Sequence, residues 1–135
     1  MFERSKEYLA QAGLVIPDAT QTYSKGPGMY PQGAAPTAIT KGVGATVWDI
    51  DGNPYTDWTA ALCAVSLGHA NQHVACAVSR RLDNGTIFGL PGDGEAVISE
   101  RFLELTGYDM VRWVKNGSDA TGAAVRLARA ITGRD

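Results

Sequence analysis

Residues 111–122 read VRWVKNGSDATG. An apolar run of strand character, 110–114, passes through a small polar turn into a segment where Ala120, Ala123, Ala124, Leu127, Ala128 and Ile131 recur at helical spacing. Arg126, Arg129 and Arg134 take the other face and the cationic end, where they complement the helix dipole. A helix that begins at such a turn presents unpaired backbone N–H groups at its positive end. Gly117 puts no Cβ in the way of an approaching ligand, and Ser118 adds a hydroxyl, so the pieces of a phosphate cradle are present. The plainer alternative is that Ser118 or Asp119 only caps the helix, and the Asp119 carboxylate would repel a phosphate. Local chemistry leaves both open and leans to the cap.

Upstream, punctuation sets the organisation. Residues 3–12 can form a short helix that Gly13 closes. Pro17, Pro27, Pro31 and Pro36, with Gly26, Gly28 and Gly33, predict an extended arm over 17–38 that needs another body to lie on. The sequence ATVWDIDGNPYTDW predicts a hairpin, with strands over 45–50 and 55–58 around the turn Asp51-Gly52-Asn53. Residues 72–82 read as a helix stopped by Asn84-Gly85, and residues 95–105 as another with Gly107 as its C-terminal cap. The order hairpin, helix, helix, strand, helix makes this an α/β chain, with a small antiparallel region and the beginning of a mostly parallel sheet left incomplete. The expected divisions are 1–44 for the N-terminal helix and arm, 45–91 for the hairpin and its helix, and 92–135 for the start of the larger domain.

Composition narrows the function classes. In 135 residues, 44% hydrophobic and 19% charged suit one globular domain. A net charge of −2 gives no electrostatic case for nucleic acid or an anionic membrane. No apolar run is long enough to span a bilayer, and MFERSKEYLAQAG lacks the apolar core of a signal peptide. Cys63 and Cys76 lack metal-ligand spacing, no metal is expected, and both are read as buried reduced thiols of a cytoplasmic protein. His69 is expected to make a structural hydrogen bond, and His73 to open its helix facing water.

Five pieces occur in the order TYSKGPGMYPQGAAP, WDIDGNPYTDW, LGH at 67–69, NGTIFGLP at 84–91, and VKNGSDATGAAVRLARAITGRD. Together they resemble the N-terminal part of the class III, fold-type-I aminotransferases that use pyridoxal 5′-phosphate (PLP), above all their glutamate-1-semialdehyde aminomutase-like branch. The resemblance implies that Gly117 and Ser118 grip the PLP phosphate and that Asp119 helps fix the loop. It implies a small-molecule amino donor and carbonyl acceptor, and assembly as a homodimer or with a complementing chain. Trp58 and Phe88 are substrate-side candidates, with packing as the alternative for each. In the family, the aromatic residue that stacks on the cofactor ring, the aspartate paired with its nitrogen and the imine-forming lysine come later. The four lysines here, Lys6, Lys25, Lys41 and Lys115, do not fit that role, so the chain alone is expected to be inactive and no catalytic residue is assigned to it. Aminomutases carry an arginine where this chain has Pro27 and a tryptophan where it has Leu62, which argues against that activity. The SKGPGMYPQG wording points instead to relatives acting on sugars or polysaccharide precursors. A noncatalytic binding or assembly module that keeps the scaffold is the alternative from another class.

Overall fold

The first helix, α1 (Glu3–Val15), runs past Gly13, the residue expected to close it. Its end is set from outside. Ile16 precedes Pro17, and the proline ring disfavours helical dihedrals at the residue before it. Ile16 accordingly adopts φ −129° and ψ 120°. At the other end, Phe2 is the flanking residue, and no side chain next to α1 satisfies the free amides. Asp51, 46 residues further on, does so instead. Its carboxylate accepts from the Arg4 N–H at 2.9 Å, the Ser5 N–H at 3.0 Å and the Ser5 hydroxyl at 2.6 Å. A carboxylate on these amides satisfies orphan donors and also opposes the positive end of the helix.

The computed structural model describes residues 2–31 and 33–134, and the chain divides into two compact units, Met1–Asn84 and Gly85–Asp135. In the first unit the arm carries three 3-10 turns, Pro17–Ala19, Tyr23–Lys25 and Pro27–Met29, and, among its described residues, no longer element. It leads into an antiparallel sheet of three strands in sequential order: β1 (Ile39–Val43), β2 (Thr46–Asp49) and β3 (Pro54–Thr56). The expected hairpin is the β2–β3 pair. Strand β1 was not expected. Its Ile39, Thr40 and Val43 are β-prone, and Gly44-Ala45 supplies the tight turn that pairs Val43 with Thr46. Val47 and Asp49 on β2 are buried, as are Phe2, Ser5 and Ala12 from the α1 end of the chain.

The two polar members of that set, Ser5 and Asp49, both have hydrogen-bond partners. The Asp49 carboxylate accepts from the Asn53 N–H at 2.7 Å, the Asn53 side-chain amide at 2.9 Å and the Tyr55 hydroxyl at 2.8 Å. Burial pushes the Asp49 carboxyl up, but these bonds, led by the Asn53 side chain, outweigh burial and hold it below its ordinary value. The same contact raises the Tyr55 phenol, after burial as the larger cause. Gly52 turns the chain just after Asp51 at φ 91°, a region that favours glycine.

Helix α2 (Gln72–Leu82) has the expected bounds, with Asn71 as its cap. In the second unit, α3 (Gly94–Thr106) ends at Gly107 with φ 74°, the left-handed closure expected there. Helix α4 (Gly117–Thr132) ends the same way at Gly133. Residues 110–114 form no ladder among the described residues, contrary to the strand read from them. A strand exists only against a neighbour, and the three strands described here are all in the first unit. Helices α2, α3 and α4 have no buried residue among those described. Their apolar faces, including Val78, Ile98 and Leu127, are open. Cys63 and Cys76 are free, as expected, but exposed rather than buried, Cys76 because the α2 face has no cover. None of the helices described is long and apolar enough to cross a membrane.

Hydrogen bonds from Ser5 are the largest cause holding the Asp51 carboxyl below its ordinary value of 3.8. A depressed folded pKa means the stabilisation is complete above the ordinary value and lost as pH falls through the depressed one. Asp51→Ala should therefore lower the hydrogen-exchange protection factors of the Arg4 and Ser5 amides at neutral pH, and acidification of the unsubstituted protein should lower them too, once rates are referred to the intrinsic exchange at each pH. Unchanged exchange in the variant would show that α1 is held by other contacts.

Candidate functional site

The site begins with how α4 starts. Asn116 is extended, with φ −145° and ψ 168°, and its side-chain oxygen accepts the Asp119 N–H at 2.9 Å. Asparagine ranks with aspartate and serine as a cap, so the cap expected at Ser118 or Asp119 falls instead on Asn116, a residue type equally suited to it. With Asn116 as the cap, Ser118 is released from that duty. Among the described residues no hydrogen bond takes the N–H of Gly117, the N–H of Ser118 or the Ser118 hydroxyl. The space where a Gly117 side chain would begin is empty to 4 Å. Three donors therefore stand on consecutive residues at the positive end of a 16-residue helix, exposed and with room for an anion.

Asp119 differs. Its amide is already used by Asn116, so it offers the turn no backbone donor. Thr121 stiffens the same turn, its hydroxyl donating to the carbonyls of Gly117 at 3.1 Å and Ser118 at 3.2 Å. Lys115 is exposed beside the turn. Phe88, in the same unit, lies over Gly85, where an added Cβ would meet its ring at 3.2 Å.

Trp58 belongs to the first unit and is 91% exposed. It opens a loop with unusual backbone. Ala60, Ala61, Leu62 and Cys63 have φ of 43°, 51°, 57° and 67°, four consecutive residues with side chains in the left-handed region. Each such residue costs about 1–2 kcal/mol. Asp57 holds the segment. Its Oδ1 accepts from the Thr59 N–H, the Thr59 hydroxyl and the Ala60 N–H, at 3.0, 2.9 and 2.9 Å. Its Oδ2 meets His69 Nε2 at 2.7 Å, the structural bond expected of this histidine. The His69 backbone in turn exchanges two 2.9 Å bonds with Gly44. Gly42 makes room for the His69 ring, which a Cβ there would strike. His73 is exposed in the first turn of α2, as expected.

The comparisons with known proteins agree on one family. Residues 29–134 match the family model described as Aminotransferase class-III. Over 134 residues the chain is 37% identical to a glutamate-1-semialdehyde 2,1-aminomutase of Desulfitobacterium hafniense, covering 98% of this chain and 31% of that one. The FumI protein of Sphingopyxis sp. MTA144, solved in a PLP form, superposes with a TM-score of 0.90 at 30% identity, over 97% of this chain and 31% of its own. An omega-transaminase from Sphaerobacter thermophilus gives 0.87 at 28%, over 96% and 29%. The chain thus spans about a third of the length of the relatives it matches.

Two outcomes test the geometry. Asn116→Ala should lower the stability of the α4 start by about 1 kcal/mol, the usual loss for such a cap, measured as reduced helicity on a circular-dichroism melt. His69, then Thr59, are the largest causes holding the Asp57 carboxyl at about 2. The clamp should thus be intact above the ordinary 3.8 and open as pH falls towards about 2, followed by the His69 ring resonances in NMR.

Proposed function

Since the chain belongs to the class-III aminotransferases, we propose that it carries the phosphate-gripping turn of a PLP-dependent enzyme that moves an amino group from a small-molecule donor to a carbonyl acceptor. The observation that supports this most is the set of unclaimed donors on Gly117 and Ser118, with open space in front of them. They are the residues that would hold the phosphate: two backbone N–H groups and one hydroxyl, aimed by a helix whose dipole favours an anion. PLP supplies an electron sink for chemistry at the carbon bearing the amine. This chain's share is placement. Asn116 fixes where the helix begins, Thr121 stiffens the turn, and the phosphate so held orients the ring, which lowers the barrier by reducing the entropy lost in reaching the reacting geometry. Asp119 contributes through the loop, since its amide is committed.

The 37% identity to an aminomutase favours a second reading, in which the amino group moves within one substrate. Pro27 opens a 3-10 turn and has no charge to offer a substrate carboxylate, and Leu62 is aliphatic; both weigh towards transfer between two molecules. A sugar or polysaccharide precursor as acceptor rests on the SKGPGMYPQG wording. Trp58, 91% exposed, is proposed as a substrate-side contact, and the open faces of α2, α3 and α4 suit assembly with a second chain.

Gly117→Pro isolates the donor. Proline is favoured at the first position of a helix, the extended Asn116 suits the residue before it, and only the N–H is lost. By calorimetric titration, PLP affinity should fall about tenfold or more, as for a hydrogen bond to a charged group. Ser118→Ala should weaken binding in the same direction. Equal affinities for PLP and for pyridoxal, which lacks the phosphate, would overturn the assignment.

A further inference from the structure

Residues 107–116 connect α3 to α4, and one side chain ties this connector down. The Trp113 indole N–H donates to the Ser99 hydroxyl oxygen at 2.8 Å. Its ring meets Phe102 edge-on, with centroids 5.2 Å apart and planes at 68°. Ser99 and Phe102 are three residues apart on α3 and share a face, so the indole is gripped at two points of one rigid element. The Ser99 hydroxyl donates its own proton to the Glu95 carbonyl at 2.7 Å, which leaves its oxygen free to accept from the indole. Glu95 is fixed as well, its carboxylate accepting the Gly92 N–H at 3.0 Å. The indole thus ends a chain of bonds running back to the start of α3.

Helix α4 has no buried residue of its own to hold it in place. What fixes its start is the connector, and Trp113 is anchored only four residues before Gly117. We propose that Trp113 is a positioning residue for the Gly117 and Ser118 donors: latched to α3 through Ser99 and Phe102, it sets where those amides stand and so how well they hold a phosphate. The inference rests on the phosphate reading of the turn. Trp113 acts through the backbone and touches no ligand.

Trp113→Phe keeps an aromatic edge for Phe102 and removes the N–H; Ser99→Ala removes the acceptor and leaves the indole. In the full chain, each should weaken PLP binding about threefold to tenfold, the range for one neutral hydrogen bond, with helicity and melting temperature held near the parent. Pyridoxal binding should be unaffected. Because both changes delete one bond, the double variant should lose no more than either single one. If the unsubstituted protein shows no preference for PLP over pyridoxal, the phosphate reading fails and takes the inference with it. If that preference is present but both variants keep it in full, the inference alone is overturned. If Trp113→Phe fails to fold, Ser99→Ala decides by the same ratio.

Discussion

A helix cannot start without leaving backbone N–H groups unpaired, and much of this structure follows from where those groups find partners. At α1 the partner is remote: Asp51, in the turn between β2 and β3, accepts from Arg4 and Ser5. That contact joins the first residues of the chain to the sheet, beside a second carboxylate, Asp49, satisfied by Asn53 and Tyr55. At α4 the partner is local and incomplete. Asn116 takes the Asp119 amide and no more, so the Gly117 and Ser118 donors remain available. One end is closed by tertiary structure and serves as a joint. The other is left open and suits an anion.

The open end has meaning only in the frame of the family. A helix start with spare amides is common, and capping explains most of them. What separates this one is its place in a chain that matches class-III aminotransferases over residues 29–134, with room in front of Gly117 for a ligand. Helices α2, α3 and α4 leave apolar side chains such as Val78, Ile98 and Leu127 uncovered. Apolar stripes at helical spacing are built to be covered.

Local signals were legible in the sequence. Helix α2 and the closure of α3 at Gly107 follow from periodicity and glycine placement, and the turn at Asp51-Gly52-Asn53 follows from its composition. What failed was non-local. The end of α1 belongs to Pro17 acting on Ile16, not to Gly13. Strand β1 was hidden behind the proline-rich arm, and 110–114 has strand character without a partner among the described residues to pair with. At the candidate site, Gly117 and Ser118 stood out in the sequence because anion binding at a helix start uses few residue types; the structure leaves their donors unclaimed, and the phosphate they would hold belongs to the proposal. Asn116 as the cap, and Trp113 as the anchor beneath it, needed coordinates. The left-handed run from Ala60 to Cys63 gave no warning at all, since none of its residues is glycine.

That run has a consequence for how this region can change. Asp57 spends one carboxylate oxygen on the left-handed turn and the other on His69, whose backbone is joined to Gly44. A single side chain therefore welds together two pieces of backbone, and substitutions at either end share its energy. Exchanges at Thr59, Gly42 and His69 are bound to be epistatic: what one costs depends on whether the weld is still whole.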